Sequence, residues 1–158
     1  MKKLFIISTL FLSFLSYSQT KQETIDWLNM QFKEHTDSFM GEYKIEIKTD
    51  PSWGETLLIS VRIENQYMSK WYKYYSFLPK NIESINTTTA FRTDGKLGLL
   101  IKAKGSNIYY NSKEFVDEIE IYCKETPDEK IIRMQKGLIH LFNLMGNPLK
   151  TPKELFKD

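Results

Sequence analysis

Cysteine is nearly absent: Cys123 stands alone in 158 residues, so no intramolecular disulfide can form and packing has to supply the stability. Histidine is as scarce. His35 and His140 lie far apart, and neither H-E-x-x-H nor C-x-x-C occurs, so no zinc motif is present. Seven glycines and five prolines form no phosphate-cradling pattern, no G-x-S-x-G elbow and no low-complexity tract. No loop carries the clustered acids that calcium wants. The residues name no cofactor and no catalytic set, and the chain reads as more plausibly a binding domain than an enzyme.

Charge of one sign is missing too. Lys and Arg number 22 against 20 Asp and Glu. Two of the lysines, Lys2 and Lys3, belong to the stretch MKKLFIISTLFLSFLSYS, which has the basic, apolar and small-residue regions of a secretory signal peptide. Ser16 and Ser18 take the minus-three and minus-one positions of a cut before Gln19. Residues 1–18 are therefore expected to be removed, leaving a chain near neutrality with no clustered basic face for nucleic acid. A long apolar run is also lacking. Leu4 to Leu15 is about 12 residues, whereas a membrane-spanning helix needs about 20, so no stable membrane anchor is expected after cleavage. The expected address is periplasmic or extracellular.

What remains, residues 19–158, is long enough for one domain. Its best-marked stretch is TPDEKIIRMQKGLIHLFNLMG. Thr126 as N-cap, Pro127 at the first helical position and Glu129 at capping-box spacing predict a helix over 127–145, stopped by Gly146 and Pro148. Ile131, Met134, Leu138, Leu141, Phe142 and Met145 make one apolar stripe, which Ile132, Ile139 and Leu144 widen. Gly137 inside it calls for the close approach of a strand or loop. His140 falls on the solvated side.

At the other end, Thr20 and Glu23 are spaced as a capping box, and Ile25, Leu28 and Phe32 form a stripe with Trp27 beside it, predicting a helix over 20–34. Between the helices lie six or seven antiparallel strands, over about 43–124. Tyr43, Ile45 and Ile47 alternate with charged residues; DPSWG from Asp50 is a turn; Leu57 to Ile63 alternates again and should pair with its predecessor. An aromatic strand YMSKWYKYYSF follows, then a short strand or turn over Asn81 to Ile85, and a hairpin turn at Asp94 and Gly95. Leu97 to Lys104 and Val116 to Lys124 are strands, with a short one over Asn107 to Tyr110 and a bulge or bend at Gly98. In the tail over 147–158, Leu155 and Phe156 are placed to tuck onto the core.

This is an α+β chain: a bent meander or partly open barrel with a terminal amphipathic helix across it. The element order resembles the pleckstrin-homology-like barrel, with the helix-grip fold as the alternative. The last helix lacks tryptophan and the first hairpin loop is not basic, so phosphoinositide binding is not implied. The lysine-led leader, ETIDWLN at Glu23, FLPKNIESI at Phe77 and RMQKGLIHLFNLMG at Arg133 resemble a family of short exported proteins of Bacteroidetes-type bacteria. That likeness implies an address rather than a chemistry.

Aromatic residues are the one excess. On a strand, Trp71, Tyr75 and Phe77 point one way and Tyr72 and Tyr74 the other, so one set fills the core and the other is left for solvent or a partner. Trp71, Tyr72, Tyr74, Tyr109 and Tyr110 are the candidate contact surface, for a protein or a glycan of the cell envelope. The plainer reading is that aromatics simply stabilise sheets. Glu118 and Glu120 share a strand face but alternate with Ile119, Ile121 and Cys123, which marks them as a solvated side and Cys123 as a buried thiol. A carrier or enzyme with an apolar cavity beneath the C-terminal helix is the alternative function.

Overall fold

The computed structural model describes residues 20–36, 41–65, 68–89, 98–124 and 126–150, with 64–65 and 68–71 in backbone only. The leader over 1–18, the Asp94–Gly95 turn and the Leu155–Phe156 tail fall outside the described residues.

Helix α1 spans Lys21–His35. Its capping box forms in full: the Thr20 hydroxyl accepts from the Glu23 amide at 3.1 Å, and the Thr20 amide donates to Glu23 Oε2 at 2.7 Å. Ile25, Leu28 and Phe32 are buried as the stripe requires. Two sheets follow among the described residues. The first has five antiparallel strands in the order β1 (Glu42–Asp50), β2 (Gly54–Asn65), β3 (Met68–Phe77), β6 (Ile108–Tyr110), β7 (Glu114–Val116). The second has three, β4 (Ile82–Thr88), β5 (Gly98–Ala103) and β8 (Glu118–Ile121). The predicted α+β class with antiparallel strands between two helices holds, with eight strands and no closed barrel among the described residues. One expected strand, Val116 to Lys124, is split: β7 and β8 are separated at Asp117 and belong to different sheets.

The DPSWG turn forms because the Asp50 carboxylate accepts from the Ser52 and Trp53 amides at 2.7 and 3.0 Å, bringing β1 back into register with β2. Gly98 is no bulge. It opens β5 opposite Thr88, and the register shift between β4 and β5 lies at Ile82 and Ser84 instead. A Cβ on Gly98 would come within 2.9 Å of the Ile121 carbonyl oxygen, so the backbone of β8 approaches too closely for a side chain.

Helix α2 spans Asp128–Leu144. Its start departs from expectation: Pro127 is the N-cap, no side chain among the described residues caps the helix, and the Thr126 hydroxyl donates instead to the carbonyl of His35 at 3.4 Å. Its end follows the glycine signal. Gly146 has φ +83°, the Asn147 amide donates to Phe142 O at 2.9 Å and the Gly146 amide to Asn143 O at 3.1 Å, a Schellman closure. Ile131, Met134, Leu138, Ile139, Leu141 and Phe142 are buried, whereas Ile132 and Leu144, expected to widen the apolar arc, are exposed. The arc is therefore narrower than the sequence suggests. Gln135 takes a buried place in it by donating to Ile85 O at 2.7 Å. Gly137 is explained by α1: Trp27 and Leu28 press on it, where a strand or loop was expected. Beneath α2, where an apolar ligand cavity is the second expectation, Phe142 stacks on Phe77 with ring centroids 6.0 Å apart, and both belong to the common core.

Candidate functional site

Strand alternation sorts the aromatic residues onto two faces of the five-stranded sheet. Tyr72 pairs with Arg62, Tyr74 with Ser60 and Ser76 with Leu58; Ser76 in turn pairs with Tyr109, and Tyr109 with Phe115. These positions share the face turned away from the core. Tyr72 and Tyr74 are 45% and 43% exposed, Tyr109 38% and Phe115 63%, so four large rings meet solvent on one surface. Tyr72 and Tyr74 lie nearly parallel, centroids 6.0 Å apart at 10°, and Tyr109 and Phe115 meet at 5.0 Å. Tyr110 falls on the other face: it pairs with Tyr75, their rings 5.0 Å apart. Trp71 lies within β3, and its side chain is outside the described residues. Phe115 was not among the expected residues. Its strand is three residues long, and no alternation is legible over so short a run.

A groove continues this face toward α1. Asn29, Met30 and Lys33 form one wall and Lys44, Ser60, Arg62 and Tyr72 the floor of a volume of about 610 Å³. The wall is held by Asn29, which donates Nδ2 to Ile45 O at 3.0 Å and accepts from the Ile45 amide at 2.7 Å. That pair occupies backbone groups on the free edge of β1, which protects the edge from pairing with another chain. Glu42 lies 4.0 Å from Arg62 at the groove's end, and Lys44 bonds Glu46 at 2.5 Å, so both signs of charge line it.

A second cleft, about 370 Å³, opens between the inner face of the large sheet and β8. Tyr43, Val61 and Lys73 stand in one cross-strand row, with Ile63 and Tyr75 beside them; Glu118, Glu120 and Tyr122 face them. The two walls are clasped by Tyr43, whose phenol donates to Glu120 O at 3.2 Å and accepts from the Tyr122 amide at 3.3 Å. Burial pushes the Tyr43 phenol far above its usual range, the Tyr122 amide bond acting against it. Burial likewise pushes Tyr75 and Tyr122 up to about 12, with the neighbouring Glu120 adding to both.

Glu118 is a half-buried partner of Lys102 at 3.7 Å, on the strand face opposite Ile119 and Ile121. Glu120 is different. Its Oε2 accepts from the Tyr122 phenol at 2.5 Å, while its Oε1 is buried without a donor. An unsatisfied buried acceptor costs about 1–3 kcal/mol and calls for an explanation. Sequence alternation places Glu118, Glu120 and Tyr122 together, but the clasp joins positions 77 residues apart and leaves no local trace.

Cys123 is buried on the core side of β8's continuation, and His140 is exposed. Among the described residues no group of three or more His, Cys, Asp or Glu side chains converges to hold a metal ion. Comparison with protein-family models, with curated proteins and with solved structures finds no match to this chain.

Proposed function

We propose that the protein is an exported, non-enzymatic binding domain that engages a protein or glycan of the cell envelope through the outer face of its five-stranded sheet. The observation that carries the reading is the run of four exposed rings, Tyr72, Tyr74, Tyr109 and Phe115, on one continuous surface. Exposed apolar area of this kind marks contact surfaces more often than idle ones, and tyrosine serves both sugar stacking and protein contact. The groove beside it extends the area and supplies hydrogen-bonding groups, Ser60 and Asn29 among them. Export is supported by the basic, apolar and small-residue order of the leader. A terminal helix over antiparallel strands supports the likeness to pleckstrin-homology-like folds, although these strands form two sheets.

The test is retention of the purified protein on insoluble cell-wall glycan and, separately, on immobilised envelope proteins. One of the two should retain it. Tyr72→Ala with Tyr74→Ala should lower that retention at least tenfold while the melting temperature shifts by no more than about 2 °C, as expected for exposed positions. Equal retention of the variant, or none of the parent on either matrix, overturns the assignment of this face.

A further inference from the structure

We propose that the protein pairs with a second copy of itself, the outer faces of the two five-stranded sheets packing on each other about a two-fold axis that runs across the strands. The inference rests on the reading of that face as a contact surface and names its protein partner.

The charges on the face select the partner. Along β1 the residues on the outer side are Glu42, Lys44, Glu46 and Lys48, each in register with an outer-face position of β2. A row of alternating sign favours neither an acidic nor a basic partner, but it is complementary to itself when reversed. With the axis level with Ile45, Glu42 lies over Lys48 of the second copy and Lys44 over Glu46, and each pairing occurs twice, as an isologous contact requires. Lys44 already bonds Glu46 within the chain, so at the centre of the row four charges of alternating sign meet. Ile59 and Tyr75 stand in one cross-strand row with Ile45, so the same axis brings Ser60 over Leu58 and Tyr74 over Ser76, a large side chain over a small one both ways. Because β1 is the margin of the sheet, the charges fall on the rim and Tyr72 and Tyr74 nearer the middle, the order found in protein interfaces. Edge-to-edge pairing through β1 is closed off, since Asn29 holds both backbone groups of Ile45, and that leaves the face. The size is suitable. Strands β1, β2 and β3 are 9, 12 and 10 residues long. At about 4.8 Å between strands and about 3.3 Å per residue, these and the short β6 and β7 cover about 550 Å² in plan. Side-chain relief and the wall of α1 carry the contact toward the roughly 800 Å² that each partner gives in a stable pair.

Sedimentation equilibrium of the purified protein from about 1 μM to about 1 mM tests this, a range that covers pairs of ordinary affinity. The weight-average mass should rise from one chain toward two. Tyr72→Ala with Tyr74→Ala should weaken the dimer at least tenfold with little change in melting temperature. Charge exchange is the sharper arm. Glu42→Lys with Glu46→Lys makes the β1 row wholly basic, and Lys44→Glu with Lys48→Glu makes it wholly acidic. Each variant alone should dimerise at least tenfold more weakly than the parent, and a one-to-one mixture of the two should recover the parental strength. A mixture no tighter than either variant alone, or a parent that stays monomeric to about 1 mM, overturns the proposal. So does a dimer indifferent to the tyrosine changes, because the contact then lies elsewhere. A monomeric parent that is still retained on cell-wall glycan or immobilised envelope proteins through Tyr72 and Tyr74 sinks this inference and leaves the reading of the face standing.

Discussion

Gly137 sits in mid-helix, where glycine costs about 1 kcal/mol relative to alanine. The residue is retained against that cost because a Cβ there would meet Trp27 Cζ3 at 2.5 Å and Leu28 Cδ2 at 3.2 Å. Displacing a packed indole costs more than the helix regains, since overpacking typically costs about 1–3 kcal/mol. Gly137→Ala should therefore lower the free energy of unfolding by about 1 kcal/mol in urea titrations. Made in a Trp27→Ala background, the same change should stabilise. If it destabilises equally in both, the indole is not what holds the position to glycine. The need for a close neighbour was legible in the sequence, because glycine in a strong helical pattern demands one. Which neighbour was not, since Trp27 and Gly137 are brought together only when the two helices pack. Glu120 shows the same limit: its strand face was legible, and the burial of one of its two oxygens was not.

At the level of elements, the two helices began with the same local signature and ended differently. Thr20 caps α1 through the reciprocal bonds its spacing promises, whereas Thr126 turns its hydroxyl to the last turn of α1 and does not cap α2. A capping box is a local competition, and a tertiary acceptor nearby can win it. The other end of α2 is held more firmly than its glycine alone explains. Asn147 Nδ2 donates to Pro79 O at 2.7 Å and to Ile82 O at 2.9 Å, pinning the helix terminus to the entry of β4. Asn147→Ala leaves two part-buried carbonyls without that donor and should lower stability by about 1–3 kcal/mol. Hydrogen exchange should rise first at the last turn of α2 and at Ile82. An unchanged exchange pattern there would show that the Schellman closure suffices by itself.

For the whole molecule, what decides the shape is how the chain divides its strands between two sheets. The meander is continuous only through β1, β2 and β3; β4 and β5 then start a second sheet, β6 and β7 return to the first, and β8 crosses back. The junction is where the tyrosines lie, which gives stability a pH dependence of defined sign. Tyr75 and Tyr122 ionise near 12 in the folded chain against about 10 unfolded, and Tyr43 is raised further, so the folded state holds its phenolic protons more tightly. Their contribution is complete below about pH 10 and is lost as the pH rises from 10 to 12. Melting temperature should fall across that window, and more shallowly in Tyr43→Phe, whose stability is already lower at neutral pH because the clasp on β8 is missing. A parallel fall in parent and variant would remove the clasp from the account. From the sequence alone came the two helices, the period-two strands, the Asp50 turn, the glycine stop and the α+β class, because each rests on contacts within a few residues of the chain. The split into two sheets, the placing of Tyr110 inward and Phe115 outward, and the joining of Tyr43 to β8 were settled only in three dimensions. Pairing between distant strands depends on which surfaces bury together, and alternation tells which residues share a face without telling what that face will meet.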